Sequence, residues 1–184
     1  TVLQVLARER DADTHGWLLE ALGTCLRRYL APARSAPLRE RATALLLGQL
    51  RNESDSGREL TTFRVLARTS TEPAVLDLCR AVIAGGELPK GLVPGRQDCF
   101  LAAAALLASG NARDDITRLQ ERFAKEDLGK ELFLAQAAVP TAENKQNYWA
   151  QYMQLDSPPE QWTQDSLSWF HWPGQEELTL PFLK

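Results

Sequence analysis

Histidine is scarce in this chain: 184 residues hold only His15 and His171, which leaves little for metal binding or for proton transfer near neutral pH. The paired-histidine zinc signature H-E-x-x-H is absent, and with it the Glu that would complete such a site. There is no G-x-S-x-G elbow, no P-loop and no G-x-G-x-x-G turn. The three cysteines, Cys25, Cys79 and Cys99, form neither a disulfide framework nor a zinc spacing. Each falls in an apolar helical stretch and is expected to be a buried free thiol, packing like a small hydrophobe. That usage fits a reducing compartment, the cytoplasm. No apolar run approaches a membrane span and no signal peptide is visible. No segment sustains the period-two alternation of a strand. Acidic residues outnumber basic ones, 24 to 21, against a nucleic-acid partner. The local basic clusters (Arg27-Arg28; Arg34, Arg39 and Arg41) read as solvated helix faces.

What the chain does have is helical periodicity almost throughout. Residues 2–9 read as the end of a helix, broken near Asp11-Ala12-Asp13. Asp13 or Thr14 then caps a helix with Trp17, Leu18, Ala21, Leu22, Cys25, Leu26 and Tyr29 on its inner side. Pro32 and Pro37 mark a turn. A helix from Leu38 to about Arg51 carries Ala42, Leu45, Leu46, Gln49 and Leu50 in phase, and 52–57 is a polar loop. Arg58 to Arg68 is the next helix, on Leu60, Phe63 and Ala67. Ser70-Thr71-Glu72-Pro73 opens another, which runs through Leu76, Cys79 and Ile83 to Gly85-Gly86. After a Pro- and Gly-rich connection, the chain from Arg96 is apolar on both sides through Ala108, the pattern of a central buried helix. Gly110-Asn111 closes it. Asp114 and Asp115 suit the first turn of a helix bearing Ile116, Leu119 and Phe123. Ser157-Pro158-Pro159 breaks the chain, a short helix spans Glu160 to Trp169, Pro173-Gly174 turns, and Gln175 opens the last helix.

The tightest corner lies between Asp127 and Trp149. Leu128, Leu132, Ala135 and Val139 share one helix face. Pro140 disfavours helical geometry at Val139 and stops that helix. Thr141 has the position and chemistry of the next N-cap, with Glu143 in the first turn. Lys145, Trp149 and Met153 follow at i, i+4 and i+8. Four of the five tryptophans (Trp149, Trp162, Trp169 and Trp172) crowd the C-terminal third, where they are expected to pack the last helices together.

About ten helices with short connections make successive helices antiparallel neighbours. The expected fold is all-α: HEAT-like antiparallel helical hairpins in a curved superhelical array, with no strict internal repeat.

Two blocks carry a family resemblance. Ala137-Ala138-Val139-Pro140-Thr141-Ala142-Glu143-Asn144-Lys145, followed by Trp149, resembles the late C-terminal region of zinc aminopeptidases of the aminopeptidase N family. The likeness is to the bacterial branch whose C-terminal domain is similar to that of the endoplasmic-reticulum and puromycin-sensitive enzymes. Phe170-His171-Trp172-Pro173-Gly174-Gln175-Glu176-Glu177-Leu178, then Pro181-Phe182, resembles that family's closing F-x-x-x-x-Q-x-E-L-x-x-P-[YF] segment. The resemblance spans roughly residues 59–184. It departs from the family at Gly95, where an Asp is usual, at Cys99-Phe100, where Arg-Trp is usual, and around Asp127 and Gly129, where a D-x-T-x-x-G run is degraded.

The resemblance implies that residues 1–184 are a single C-terminal helical domain, a fragment of a longer zinc metallo-aminopeptidase that removes N-terminal residues from peptides. Zinc, its ligands and the general-base Glu would belong to a catalytic domain outside these residues. That domain and peptide substrate are the implied partners, with no nucleic acid and no membrane. Only structural positions carry over: Pro140, Lys145, Trp149, Phe170, Gln175, Glu177, Leu178 and Pro181. No catalytic or metal-ligating residue does, and the residues that would bind substrate are left unassigned. The domain itself would be inert, closing over the active-site chamber and limiting peptide access. The alternative is a free-standing HEAT-like scaffold binding protein or peptide in its concave groove. A hydrolase built on Asp114, Asp115 and His171 is the least favoured reading.

Overall fold

A computed structural model describes residues 2–30, 32–52, 56–110, 112–154 and 158–183, and among these every regular element is helical. In order they are α1 (Val2–Leu6), α2 (Ala12–Thr24, continued by a π turn Cys25–Tyr29), α3 (Pro32–Asn52), α4 (Ser56–Thr69), α5 (Pro73–Ala84) and α6 (Arg96–Ala108). Then come α7 (Arg113–Arg122), α8 (Gly129–Gln136), α9 (Ala142–Tyr152), α10 (Glu160–Phe170) and the short α11 (Glu176–Thr179), which runs into a 3-10 turn Leu180–Leu183.

The all-α expectation holds, and α6 is the buried centre. Its residues Asp98 through Leu106 are all buried without interruption. A run of four alanines, Ala102 to Ala105, gives it a thin profile that lets neighbours approach from several sides. α4, α5, α7 and α8 all pack on it. Asp98 starts it: the carboxylate accepts the Gly95 amide hydrogen at 2.9 Å and forms a fork with Arg64 of α4, whose Nε lies 2.7 Å away. α5 follows its sequence signals closely, with Pro73 in the first turn and Gly85 at φ +66° as its C-terminal stop. Thr141 caps α9 as expected, accepting from the Asn144 amide.

Five local expectations are corrected. Asp11, not Asp13 or Thr14, caps α2, its side chain accepting from the Thr14 amide at 2.8 Å. The inner face of α2 is His15, Leu19, Leu22, Gly23 and Leu26, while Trp17 and Tyr29 are 71% and 76% exposed. Cys25 shares that outer face and is an exposed thiol; Cys79 and Cys99 are buried. Pro32 and Pro37 do not form a turn: Pro32 begins α3 and Pro37 lies inside it. So near the start of a helix, the ring removes one backbone bond and leaves the rest of a long helix intact. The polar loop expected over 52–57 is shorter than that, since Asn52 ends α3 and Ser56 begins α4; residues 53–55 lie outside the described residues, as do Asn111 and Ser157.

Long polar side chains bind the ends of these helices. Arg39 of α3, expected on a solvated face, is instead half-buried; it donates to the Leu26 carbonyl at 3.0 Å and to the Thr69 carbonyl at 3.3 Å. Arg122 of α7 donates to Val82 and Ile83 at the end of α5. A cation at a helix C-terminus meets both unpaired carbonyls and the negative end of the dipole. The same device, at its most buried, organises the C-terminal region.

Candidate functional site

The two sequence blocks around Lys145 and Phe170 meet in space. Lys145, on α9, is fully buried; its Nζ donates to the Ala137 carbonyl at 2.6 Å and to the Phe170 carbonyl at 2.8 Å. Those oxygens sit at the C-terminal ends of α8 and α10, so one ammonium faces two helix termini at once. The Phe170 ring lies 5.1 Å from Nζ and supplies a cation–π contact. Among the described residues no carboxylate pairs with this ammonium, and burial pulls the Lys145 amine down to about 8.

Gln175 closes the second half of the knot. Its Nε2 donates to the Ala138 carbonyl at 2.8 Å, one residue beyond the carbonyl that Lys145 takes. Trp149 stacks on Phe182 with centroids 5.3 Å apart, and Phe170 meets Phe182 edge-on at 5.8 Å. Tyr148 adds a 2.6 Å bond from its hydroxyl to the Phe133 carbonyl, and Tyr152 shares a 2.7 Å bond with Ser166. Of the other sequence-predicted positions, Pro140 and Leu178 are half-buried, Glu177 and Pro181 are exposed, and Met153 is exposed away from Lys145. Of the four tryptophans expected to pack the last helices, Trp172 is buried and Trp149, Trp162 and Trp169 are half-buried among other rings.

The candidate hydrolase residues have unrelated partners. Asp115 is buried beside Arg80, with Nε 3.9 Å from its carboxylate, and Asp114 is exposed. His171 follows α10, its ring edge-on to Phe170 at 5.0 Å. Burial and, after it, the Lys145 charge hold His171 below the ordinary imidazole value. His15 lies in the core under α2. Among the described residues no three of His, Cys, Asp and Glu gather into a group able to hold a metal. Among the same residues, no helix is long and apolar enough to cross a membrane.

Two cavities flank this region, and Arg68 of α4 lines both. One, about 580 Å³, lies between α2, α4, α10 and the C-terminal turn and is walled by Arg27, Arg68, His171, Leu167, Leu180 and Leu183 among others. The second, about 600 Å³, lies between α4, α6, α8 and α10. There the charges are matched: Arg64 with Asp98, and Lys130 with Asp165 at 2.6 Å. Arg68 stacks on Trp169, its guanidinium carbon 5.2 Å from the ring centroid. In the sequence Arg68 has no distinguishing signal, since one arginine at the end of an amphipathic helix looks like any last-turn cation. Arg64 lies one turn before it on α4, and the fold adds Arg27 from the turn that continues α2.

No family model matches the chain, and no curated protein matches it significantly.

Proposed function

We propose that this chain is the non-catalytic, helical C-terminal domain of a cytoplasmic zinc aminopeptidase of the aminopeptidase N family. In this reading the helices form a HEAT-like curved array that closes over the chamber of a catalytic domain and limits which peptides reach it. One observation carries the proposal. The two blocks that resemble the family, 137–149 and 170–182, are far apart in sequence yet interlock through Lys145 with Phe170, Gln175 with Ala138, and Trp149 with Phe182. A chance likeness in two separate stretches has no reason to fall on residues that hold each other in place. The packing of α4, α5, α7 and α8 around α6 is compatible with stacked helical hairpins.

The test compares the 184-residue chain with the full-length product of its gene for bound zinc and for hydrolysis of aminoacyl anilides and of peptides of increasing length. The proposal expects a metal-free, inert chain, a full-length protein that binds zinc and cleaves, and a changed peptide-length preference when these residues are deleted. Zinc or activity in the isolated chain, or a full-length protein without an H-E-x-x-H pair, overturns it. The second outcome returns the reading to a free-standing scaffold, which the two cavities around Arg68 favour as a binding face.

A further inference from the structure

Among the described residues no carboxylate pairs with Arg68. It is half-buried, its charge is disfavoured first by burial and then by repulsion from Arg27 and Arg64, and it stacks on the Trp169 face. Its neighbours differ: Arg64 has Asp98, Lys130 has Asp165, and Arg96 has Glu126 and Glu131. A partly desolvated guanidinium among like charges is costly unless an anion joins it. Among the described residues that line the 580 Å³ cavity with Arg68, Glu176 is the one carboxylate. That carboxylate already accepts the Gly174 amide hydrogen at 3.0 Å.

The same cavity also has an apolar, solvent-exposed lining. Leu167, Leu180 and Leu183 are 39%, 56% and 65% exposed, and all three line it. Trp172 and Pro173 extend that wall. An unmatched cation beside exposed leucines, in a volume of the size that holds small molecules, selects for a ligand with both an anionic head and an apolar body.

We propose that the cavity between Arg68 and the Leu167–Leu180–Leu183 wall binds a small amphiphilic carboxylate, an acid bearing an aryl or branched alkyl group. The carboxylate sits against Arg68, within the field of Arg27, and the apolar group covers the leucines. The planar guanidinium offers a fork that matches a carboxylate, and its stack on Trp169 orients that fork. A bare inorganic anion would leave the leucine wall exposed, and a neutral analogue would leave Arg68 unmatched. This assignment does not depend on the aminopeptidase reading.

The probe is 4-phenylbutyrate, titrated into the chain by calorimetry and by tryptophan fluorescence, with 4-phenylbutyramide and inorganic phosphate as controls. Saturable binding is expected with a dissociation constant on the order of 1 mM, the scale for a ligand of this size. The amide and phosphate should each bind at least about tenfold more weakly, the scale of one charge-assisted contact. Arg68→Gln should weaken the acid by a similar factor. Glu176→Gln, which removes the competing negative charge, should tighten it several-fold. Leu183→Asp, on an exposed position that folding does not need, should abolish it. Helix content and melting of each variant are followed by circular dichroism, and if Arg68→Gln fails to fold, the other two variants decide. Equal binding of acid and amide, equal binding of acid and phosphate, no saturation, or weaker binding by Glu176→Gln each overturns the proposal.

Discussion

Lys145 Nζ donates to the Phe170 carbonyl oxygen across 2.8 Å, and neither residue is exposed to solvent. With its second bond to Ala137, this one side chain joins α8, α9 and α10. Unlike an ion pair, the contact matches a full charge against two helix termini and an aromatic face, so its value depends on both carbonyls staying in place.

Lys145→Met keeps the stem and removes the ammonium, leaving the Ala137 and Phe170 carbonyls without this donor. Two buried acceptors and two charge-assisted bonds are lost, against relief of the cost of burying a charge. A net loss of about 3 kcal/mol is expected in urea unfolding. A loss below about 0.5 kcal/mol, the level of an ordinary surface substitution, would show that the contact contributes little.

The same amine gives a pH signature. Its folded value is about 8 against the ordinary 10.5, so between these values the unfolded chain binds more protons and stability rises with pH. The penalty is fully present below pH 8 and is relieved as pH passes 10.5. Cys79, pushed up to about 12 from 9, and Tyr152, pushed up to about 12 from 10, act oppositely, because both ionise first in the unfolded chain. Their losses begin near pH 9 and pH 10. The native protein should therefore gain stability from pH 8 to 9 and lose it beyond. The difference between the native protein and Lys145→Met isolates the lysine, and it should grow by up to about 3 kcal/mol between pH 8 and 10.5. A flat difference would place the amine at its ordinary value.

The order of the helices was legible because their punctuation is local. Pro73, Gly85, Pro140 and Thr141 act on their own neighbours, and each stands where expected. The buried α6 was legible because it is apolar on every side. The face of α2 was not. Apolar residues at 17, 18, 19, 21, 22, 25 and 26 cover two faces, and the inner one includes a histidine and a glycine, His15 and Gly23. This histidine and glycine on the inner face break the apolar pattern that periodicity reads. The Lys145 knot was half legible: the lysine stem and Trp149 on one face followed from periodicity, but its acceptors belong to other helices. Arg68 was invisible, since an unmatched charge is defined by neighbours from other elements.

That reassignment of α2 can be checked by substitution. Leu19 is 0% exposed and Trp17 is 71% exposed. Leu19→Ala should cost about 3 kcal/mol through lost burial and the cavity it leaves. Trp17→Ser should change stability by less than about 0.5 kcal/mol despite removing the largest side chain of the helix. The reverse ranking in thermal or urea melts would restore the inner face expected from periodicity.

Glu59 of α4 is 1% exposed, and neither carboxylate oxygen has a hydrogen-bond partner. It lies under the 87–95 connection, against Gly91, whose backbone sits at φ +87°. A Cβ at Gly91 would come within 2.9 Å of Glu59 Oε1, so the glycine is required both by its backbone and by the carboxylate beneath it. Burying an ionised group without donors is unfavourable. Glu59→Gln removes the charge at nearly constant volume and adds a donor that can reach the backbone of the connection. It should stabilise the protein by about 1–3 kcal/mol. Gly91→Ala should destabilise it by at least about 1–2 kcal/mol from the left-handed backbone alone. In the Glu59→Gln background its cost should be no smaller, because the amide fills the space that the carboxylate did. Urea unfolding of the two single variants and the double variant measures all three terms. A Glu59→Gln protein less stable than its parent would mean that the carboxylate is held by donors, and that its charge supports the connection over α4 instead of straining it.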